Sequence, residues 1–189
     1  MTVCRALLMA SSLLLETACA PPPPALVKPA TIKDIMDSMV DPSGDFIFAS
    51  IQQIADERGV REKAPQTDAE WEEVRHHLFV LLEAPNLLIM DGRKVARPGD
   101  KSKNPAVENE PAEIQKLLDA DRSSFIRRAR RLQDAAALAM TAVEAKDTSA
   151  LFRAISRIDK ACENCHLRYW YPNDKRARQA AIEDGVNDE

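Results

Sequence analysis

The chain has 189 residues and a formal net charge of −4 at pH 7, so no basic excess indicates a nucleic-acid partner. Only 5 residues are Gly, whereas Ala and Leu are plentiful, which favours helices over a β fold rich in glycine turns. The length, less a targeting segment, fits one domain of ordinary size.

The first twenty residues have the features of an export signal. A short basic start precedes the apolar run 6–15, which is too short to span a bilayer. A small-x-small pattern centred on Cys19 predicts a signal peptide over 1–20, with cleavage before Pro21. A lipoprotein signal over 1–18, with Cys19 lipidated, is the other reading, and the sequence leaves both open. Both predict an exported, periplasmic protein, and only the lipoprotein reading attaches it to a membrane, through the lipid on Cys19. An uncleaved N-terminal anchor is the remaining alternative, which the short apolar run disfavours.

Three regions follow the signal. A proline-rich linker over 21–30 is expected to be extended and exposed, because four consecutive prolines cannot continue a helix. Amphipathic helical patterns fill 31–172, which we take as the folded domain. A charged tail over 173–189 completes the chain.

The first helical pattern begins at Thr31, a good N-cap, and ends near Gly59. Asp41-Pro42 interrupts it, and Asp41 is suited to cap a restart with Pro42 in the first helical position. The pattern therefore predicts one kinked helix or two abutting helices.

Three more helical patterns follow. The second begins with a cap at Thr67 or Asp68, and a surface loop over 93–111 comes after it. A long third helix is predicted over 112–146, and Thr148 is expected to cap the fourth across a very short turn. Four amphipathic helices with mostly short connections predict an all-α protein, an antiparallel four-helix bundle.

Two groups of polar residues on these helices have ordinary structural explanations. A basic cluster on the third helix is interpreted as a solvated face, with partner docking as the alternative. His77 falls near the apolar stripe of the second helix beside His76, and we expect surface or hydrogen-bonded core roles for both. The basic cluster consists of Arg127, Arg128, Arg130 and Arg131.

The fourth helix ends in the motif Cys162-x-x-Cys165-His166. Residues three apart on a helix face the same way, so both thiols can reach one porphyrin edge and add to haem vinyl groups as thioethers. His166 can then direct its imidazole to the iron as an axial ligand. Because Cys4 lies in the signal and Cys19 is removed or lipidated, the motif holds every cysteine of the folded domain. The motif predicts one covalent haem c, whose attachment outside the cytoplasm agrees with export.

Three other roles for the cysteine pair stay open. A thioredoxin-like dithiol needs a βαβ context and a Cys at a helix start. A zinc site needs a fourth ligand, for which the sequence offers His76 and His77. The third alternative is a structural disulfide or an inert pair.

The motif and the helical patterns over about 31–171 resemble the class II c-type cytochromes, the cytochrome c′-like group. Their haem motif lies on the last helix of a four-helix bundle. Ile35-Met36-x-x-Met39-Val40-Asp41-Pro42 is also similar to a first-helix pattern in an uncharacterised branch of exported c-type cytochromes. In low-spin members of this group a first-helix Met binds the iron as sixth ligand, whereas high-spin members leave that site open. The resemblance makes Met36 the preferred candidate, because the branch has a Met there, and Met39 the second; the alternative is that both methionines only fill the core. It also implies that homodimers are common.

Together these features predict an exported mono-haem cytochrome that passes single electrons to and from an unidentified redox partner protein. One alternative is a high-spin cytochrome c′-like protein that binds or senses nitric oxide or carbon monoxide at an open iron site. Another is a haem-free exported helical scaffold. No catalytic constellation is evident in the sequence, so an enzyme is not expected.

Overall fold

The computed structural model describes residues 26–57 and 59–183, and this part of the chain is mostly helical. The predicted all-α class is therefore confirmed. None of the described helices is long and apolar enough to cross a membrane. The elements are α1 (Ile32–Ile35), a π-helical turn (Met36–Val40), α2 (Asp41–Ser50), β1 (Gln52–Asp56), β2 (Gly59–Lys63), α3 (Asp68–Leu88), α4 (Pro111–Ala120), α5 (Arg122–Glu144), α6 (Thr148–Tyr169) and α7 (Lys175–Glu183).

The first helix begins where the sequence predicts. The Thr31 hydroxyl accepts a hydrogen bond from the Asp34 amide at 3.1 Å, and the Asp34 carboxylate accepts one from the Thr31 amide at 3.0 Å. These reciprocal bonds form a capping box, which satisfies two amides that the helix itself leaves without acceptors. Ile32 and Ile35 then turn into the core.

Asp41 is the first residue of α2 and does not cap it, so the predicted cap there is wrong. The backbone of Asp41 is helical, with φ −60° and ψ −50°, and its amide donates to the carbonyl of Met36 five residues back. Pro42 has no amide hydrogen, and its ring would clash with the Ser38 carbonyl in a regular α-helix. The wider π-helical turn accommodates that proline and joins α1 to α2 as one distorted helix.

The predicted continuation of this helix to Gly59 is also wrong. The helix ends at Ser50, and β1 pairs with β2 as an antiparallel hairpin in which Gln52 lies opposite Lys63. Gly59 has φ +106°, which the turn between the strands requires and which side chains with a Cβ disfavour. Ile51 remains buried at the junction.

The second helix starts as predicted, and the loop after it is more buried than expected. The Thr67 hydroxyl accepts from the Glu70 amide at 3.2 Å, which caps α3. In the predicted surface loop 93–111, Val95 is buried, and Arg93 is buried while donating to the Leu87 carbonyl at 2.6 Å. Only part of that loop therefore lies at the surface.

The single third helix predicted over 112–146 is two helices. Asp121 leaves the helical conformation, with φ −140° and ψ 69°, and its carboxylate accepts a 2.9 Å hydrogen bond from the Ser124 amide. An acidic N-cap therefore ends α4 and begins α5 at the same residue. Asp147, not Thr148, caps α6, through a 2.8 Å bond from the Ala150 amide.

Parts of both ends of the chain lie outside the described residues. The predicted signal, Cys19 and the first half of the linker lie outside the described residues, as do residues 184–189 of the predicted tail. The described part of that tail includes α7, which packs on α6 and buries Ala181.

Neighbouring helices run antiparallel around one apolar core. Lys146 at the end of α5 pairs with Asp68 at the start of α3 at 2.6 Å, and Gln133 donates to the Leu82 carbonyl at 2.7 Å. The distorted first helix packs on α3, α5 packs extensively on α6, and α4 contacts both α5 and α6. The most fully buried large side chains include Ile35, Ile47, Leu78, Leu81, Ile114, Leu151 and Ile158.

Candidate functional site

Cys162, Cys165 and His166 lie in the last two turns of α6 and face one cavity. Residues three and four apart share a helix face, which explains why all three side chains meet there. Each side chain is half-buried, because the cavity itself gives limited solvent access. Both cysteines are free thiols in this structure.

The cavity is lined almost entirely by apolar side chains from α1, α3, α4, α5 and α6. It holds about 620 Å³ of empty space, open solvent at its mouth included. Its apolar lining comprises Ile32, Leu88, Ile114, Leu118, Phe125, Ala129, Leu132, Ala161 and Trp170, together with Met36 and the motif.

Met36 and Met39 have different positions. Met36 is the first residue of the π-helical turn, is half-buried, and lines the cavity with His166. Met39 is also half-buried and packs against the core, but it does not line this cavity. The fold therefore brings the preferred methionine, and not the second one, to the cavity that contains the motif.

Both thiols are held in their protonated form. Burial raises the pKa of Cys162 to about 12, and the nearby Cys165, Asp159 and Glu163 act in the same direction. Burial raises the pKa of Cys165 to about 11, although the Arg128 guanidinium opposes this change. Reactive dithiols of the thioredoxin kind have lowered thiol pKa values, so these sites have the opposite electrostatics.

His166 is a neutral imidazole with a defined tautomer. Burial lowers the pKa of His166 to about 4. Its Nδ1 lies 3.2 Å from the Tyr171 hydroxyl, and that hydroxyl donates to the Glu163 carboxylate at 2.7 Å. The hydroxyl proton is thus committed to Glu163, so Nδ1–H of His166 is the donor to Tyr171 and the lone pair is on Nε2.

The sequence did not indicate the role of Arg128. Its place in the basic cluster predicts a solvated side chain, and that prediction is wrong for Arg128. The side chain is buried, lines the cavity and donates to the Asn164 backbone carbonyl at 2.8 Å and to the Asn164 side-chain oxygen. The signal was present in the spacing, because Phe125, Arg128 and Leu132 share one helix face. Arg128 therefore links α5 by hydrogen bonds to Asn164, one of the two residues between the motif cysteines.

A polar pocket adjoins the apolar cavity and shares Met36, His166 and Trp170 with it. It holds about 750 Å³, open solvent included. Lys33 and Lys103 both pair with Asp37, at 2.6 and 3.3 Å. The remaining charged and polar lining is Asp41, Lys101, Ser102, Glu108, Asn109 and Tyr171. The apolar cavity thus meets solvent through a charged opening.

His76 and His77 lie elsewhere, on α3. His76 is exposed beside Glu72 at 3.2 Å, and the His77 ring stacks on Phe46 with 4.1 Å between ring centroids. His77 Nδ1 is also 3.2 Å from the Ser43 hydroxyl. Within residues 26–57 and 59–183, no cluster of three or more His, Cys, Asp and Glu side chains is placed to hold a metal ion.

Comparisons with protein-family models, curated proteins and solved structures found no match to this chain. Its class is therefore defined by its own fold and site: a mostly helical protein whose apolar cavity presents two thiols, a neutral imidazole and a thioether. The chemistry of that donor set is the basis for a function.

Proposed function

We propose that the chain is an exported mono-haem c-type cytochrome of class II, and that it transfers single electrons. The observation that carries the proposal is that Cys162, Cys165, His166 and Met36 line one apolar cavity. The last two turns of α6 supply the motif, and a helix more than a hundred residues away in the chain supplies the methionine.

The residues of the cavity fit a haem. Its apolar walls suit a flat macrocycle, and two thiols one helical turn apart suit two thioether links. Nε2 of His166 carries the lone pair that an axial ligand needs, and its Nδ1–H is held by a hydrogen bond, as is usual for metal-binding histidines. Tyr169 also lines the cavity, and its buried hydroxyl has no hydrogen-bond partner among the described residues.

Each of these side chains would have one task. Cys162 and Cys165 would hold the haem covalently, His166 would bind one face of the iron, and the Met36 sulfur would bind the other. When bound, haem supplies a one-electron ferric–ferrous couple, and a His–Met ligand pair favours a relatively high potential. The apolar walls would keep water away from the site, and the charged opening beside His166 and Trp170 would leave one side near solvent.

The proposal includes a cytochrome c′-like four-helix bundle. In support, the first distorted helix, α3, α5 and α6 pack as antiparallel neighbours, and the motif lies at the end of the last of these four. On this reading, α4, α7 and the β1–β2 hairpin are additions at the edges of the bundle. Export belongs to the proposal because haem is attached to this motif outside the cytoplasm.

A haem-stained denaturing gel and a visible spectrum test this function. Protein from cells competent in cytochrome maturation should stain for covalent haem and give a low-spin ferric spectrum with a weak far-red sulfur-to-iron band. Absence of stain would refute the function. A high-spin spectrum with direct binding of carbon monoxide would refute Met ligation and favour a gas-binding protein.

Two methionine variants identify the sixth ligand. Met36→Ala should remove the far-red band and convert the iron to a high-spin form, because it deletes the sulfur that faces the cavity. Met39→Ala is the matched control, since it removes a sulfur three residues away that does not line the cavity. A band that survives in Met36→Ala, or is lost only in Met39→Ala, would contradict the assignment of Met36.

A further inference from the structure

Hydrogen bonds join the His166 side chain to two residues that haem attachment does not use, Tyr171 and Glu163. The Glu163 carboxylate accepts from the Tyr171 hydroxyl at 2.7 Å, and that hydroxyl lies 3.2 Å from His166 Nδ1. The His166 and Tyr171 rings also meet edge to face, with centroids 5.5 Å apart. All three side chains are half-buried, so solvent competes little for these bonds.

The end of α6 builds this group of three side chains. The amides of Trp170 and Tyr171 both donate to the His166 carbonyl, at 2.7 and 3.0 Å. These bonds end the helix and turn the backbone so that the Tyr171 ring comes back beside His166. Glu163 lies three residues before His166, on the neighbouring part of the same helix face. A segment of nine residues therefore holds all three groups, which favours a defined geometry.

We infer that Tyr171 and Glu163 are positioning residues that orient the His166 imidazole and lower the reduction potential of the haem iron. The inference rests on the proposed function. It assigns roles to Tyr171 and to the first residue between the motif cysteines, whereas the motif itself specifies only Cys162, Cys165 and His166.

The direction of the effect follows from the direction of the hydrogen bonds. The Tyr171 hydroxyl donates to a carboxylate, which makes its oxygen a stronger acceptor for Nδ1–H of His166. An imidazole whose Nδ1–H is strongly bound donates more electron density through Nε2. A stronger donor stabilises the oxidised iron more than the reduced iron, so the potential falls. The hydrogen bonds among Glu163, Tyr171 and His166 thus oppose the potential-raising effect of a methionine ligand.

Spectroelectrochemical titration of the full-length haem-loaded protein tests this inference. Tyr171→Phe removes the acceptor and should raise the midpoint potential, favouring reduction by roughly two- to tenfold in the equilibrium constant. Glu163→Gln should also raise the midpoint potential, because an amide is a weaker acceptor than a carboxylate. The rise should be smaller, since the Tyr171 hydroxyl still accepts from His166. In the reduced protein, nuclear magnetic resonance should show faster solvent exchange of the His166 Nδ1 proton in Tyr171→Phe, a change that loss of packing at a distance would not produce.

Asp159→Asn is the control for charge. Asp159 is an exposed carboxylate on α6, one turn before Glu163. Its replacement changes the net charge near the motif and leaves Glu163, Tyr171 and His166 in place. Its effect on the potential should be smaller than that of Glu163→Gln. If Tyr171→Phe and Glu163→Gln both match Asp159→Asn, the inference is overturned, even when wild-type protein is haem-loaded and low-spin. If Tyr171→Phe does not fold, the midpoint potentials of Glu163→Gln and Asp159→Asn are compared with each other. A larger rise in Glu163→Gln supports the inference, and equal potentials overturn it.

Discussion

Arg128 shows how a single buried side chain can fix the Cys-x-x-Cys-His motif in place. It lies on α5, and its 2.8 Å bond to the Asn164 carbonyl crosses to α6 between the two motif cysteines. Both residues are buried, at 4% and 5% exposure, so these polar groups have little access to water as a substitute partner. The bond therefore stabilises the relative position of the two helices where the cysteines face the cavity.

Replacing Arg128 by Ala is expected to destabilise the protein by about 1–3 kcal/mol, because the buried hydrogen bonds from its guanidinium to Asn164 are lost. Urea unfolding followed by circular dichroism measures this change. Arg127→Ala is the matched control: Arg127 is exposed on the same helix, and its removal should change stability by less than about 0.5 kcal/mol. Equal stabilities of the two variants would show that the buried bond contributes little.

At the scale of elements, the π-helical turn decides which side chain of the first helix meets the cavity. Its hydrogen bond from Asp41 to Met36 spans five residues and shifts the helix phase where Met36 lies. The cause is local, since Pro42 cannot donate and a regular α-helix would clash with its ring.

Pro42→Ala is expected to favour a regular α-helix here, because residue 42 gains an amide that can donate to Ser38. The phase of Met36 would then change, and the far-red sulfur-to-iron band of the ferric protein should weaken or disappear. Pro105→Ala, in an exposed part of the loop before α4, provides a proline control and should leave the spectrum unchanged. An intact band in Pro42→Ala would mean that packing, and not the proline, maintains the turn.

The loop at the charged opening depends on one carboxylate. Glu108 accepts bonds from the Ser102 hydroxyl at 2.7 Å and from the amides of Lys103 and Asn104 at 2.9 Å each. Burial raises the pKa of Glu108, but these hydrogen bonds outweigh burial and hold it below the usual value of 4.5. The ionised carboxylate thus orders the loop beside the cavity.

The stability that Glu108 supplies should disappear in acid. Because its pKa is lower in the folded state, the contribution is complete above the usual value of 4.5 and declines as the pH falls through the folded pKa. The difference in free energy of unfolding between wild type and Glu108→Gln should therefore be largest near neutral pH and shrink below pH 4.5. The exposed neighbour Glu110, 4.0 Å from Lys101, gives the control variant Glu110→Gln, with little effect at any pH. A difference that grows in acid would contradict this.

For the whole molecule, the cavity makes stability depend on its occupant. Five helices contribute apolar side chains to the cavity beside the motif. Apolar walls that face empty space lose packing contacts and solvent exclusion, so an unfilled cavity of this kind destabilises a fold. A covalently held occupant would restore both.

A variant without the thioether links should show this dependence. Cys162→Ser with Cys165→Ser is expected to lack covalent haem and to unfold at a Tm lower by roughly 6 °C or more, which corresponds to a loss of about 3 kcal/mol. Thermal unfolding followed by circular dichroism measures the shift. Asp159→Asn, on the same helix, should keep both haem and Tm. A Tm equal to that of haem-loaded wild type would argue that the cavity is not a cofactor site.

Local chemistry explains which parts of the fold were predictable. Thr31 and Thr67 begin helices as expected because a capping box involves residues only three positions apart. The all-α class was predictable too, since helical periodicity extends over most of the chain. The break at Asp121 and the hairpin after Ser50 were missed, because short apolar patterns fit a continued helix, a new helix or a strand about equally well.

The sequence by itself determined the Cys-x-x-Cys-His motif, the helical class and the two candidate methionines, because these depend on residue types and spacings within a few turns. The tertiary structure decided that Met36 and not Met39 reaches the cavity, that Arg128 is buried against Asn164, and that Tyr171 returns to His166. Those contacts depend on how helices distant in the chain pack, or on how a helix ends. Such geometry is fixed by the whole core and cannot be read from local periodicity.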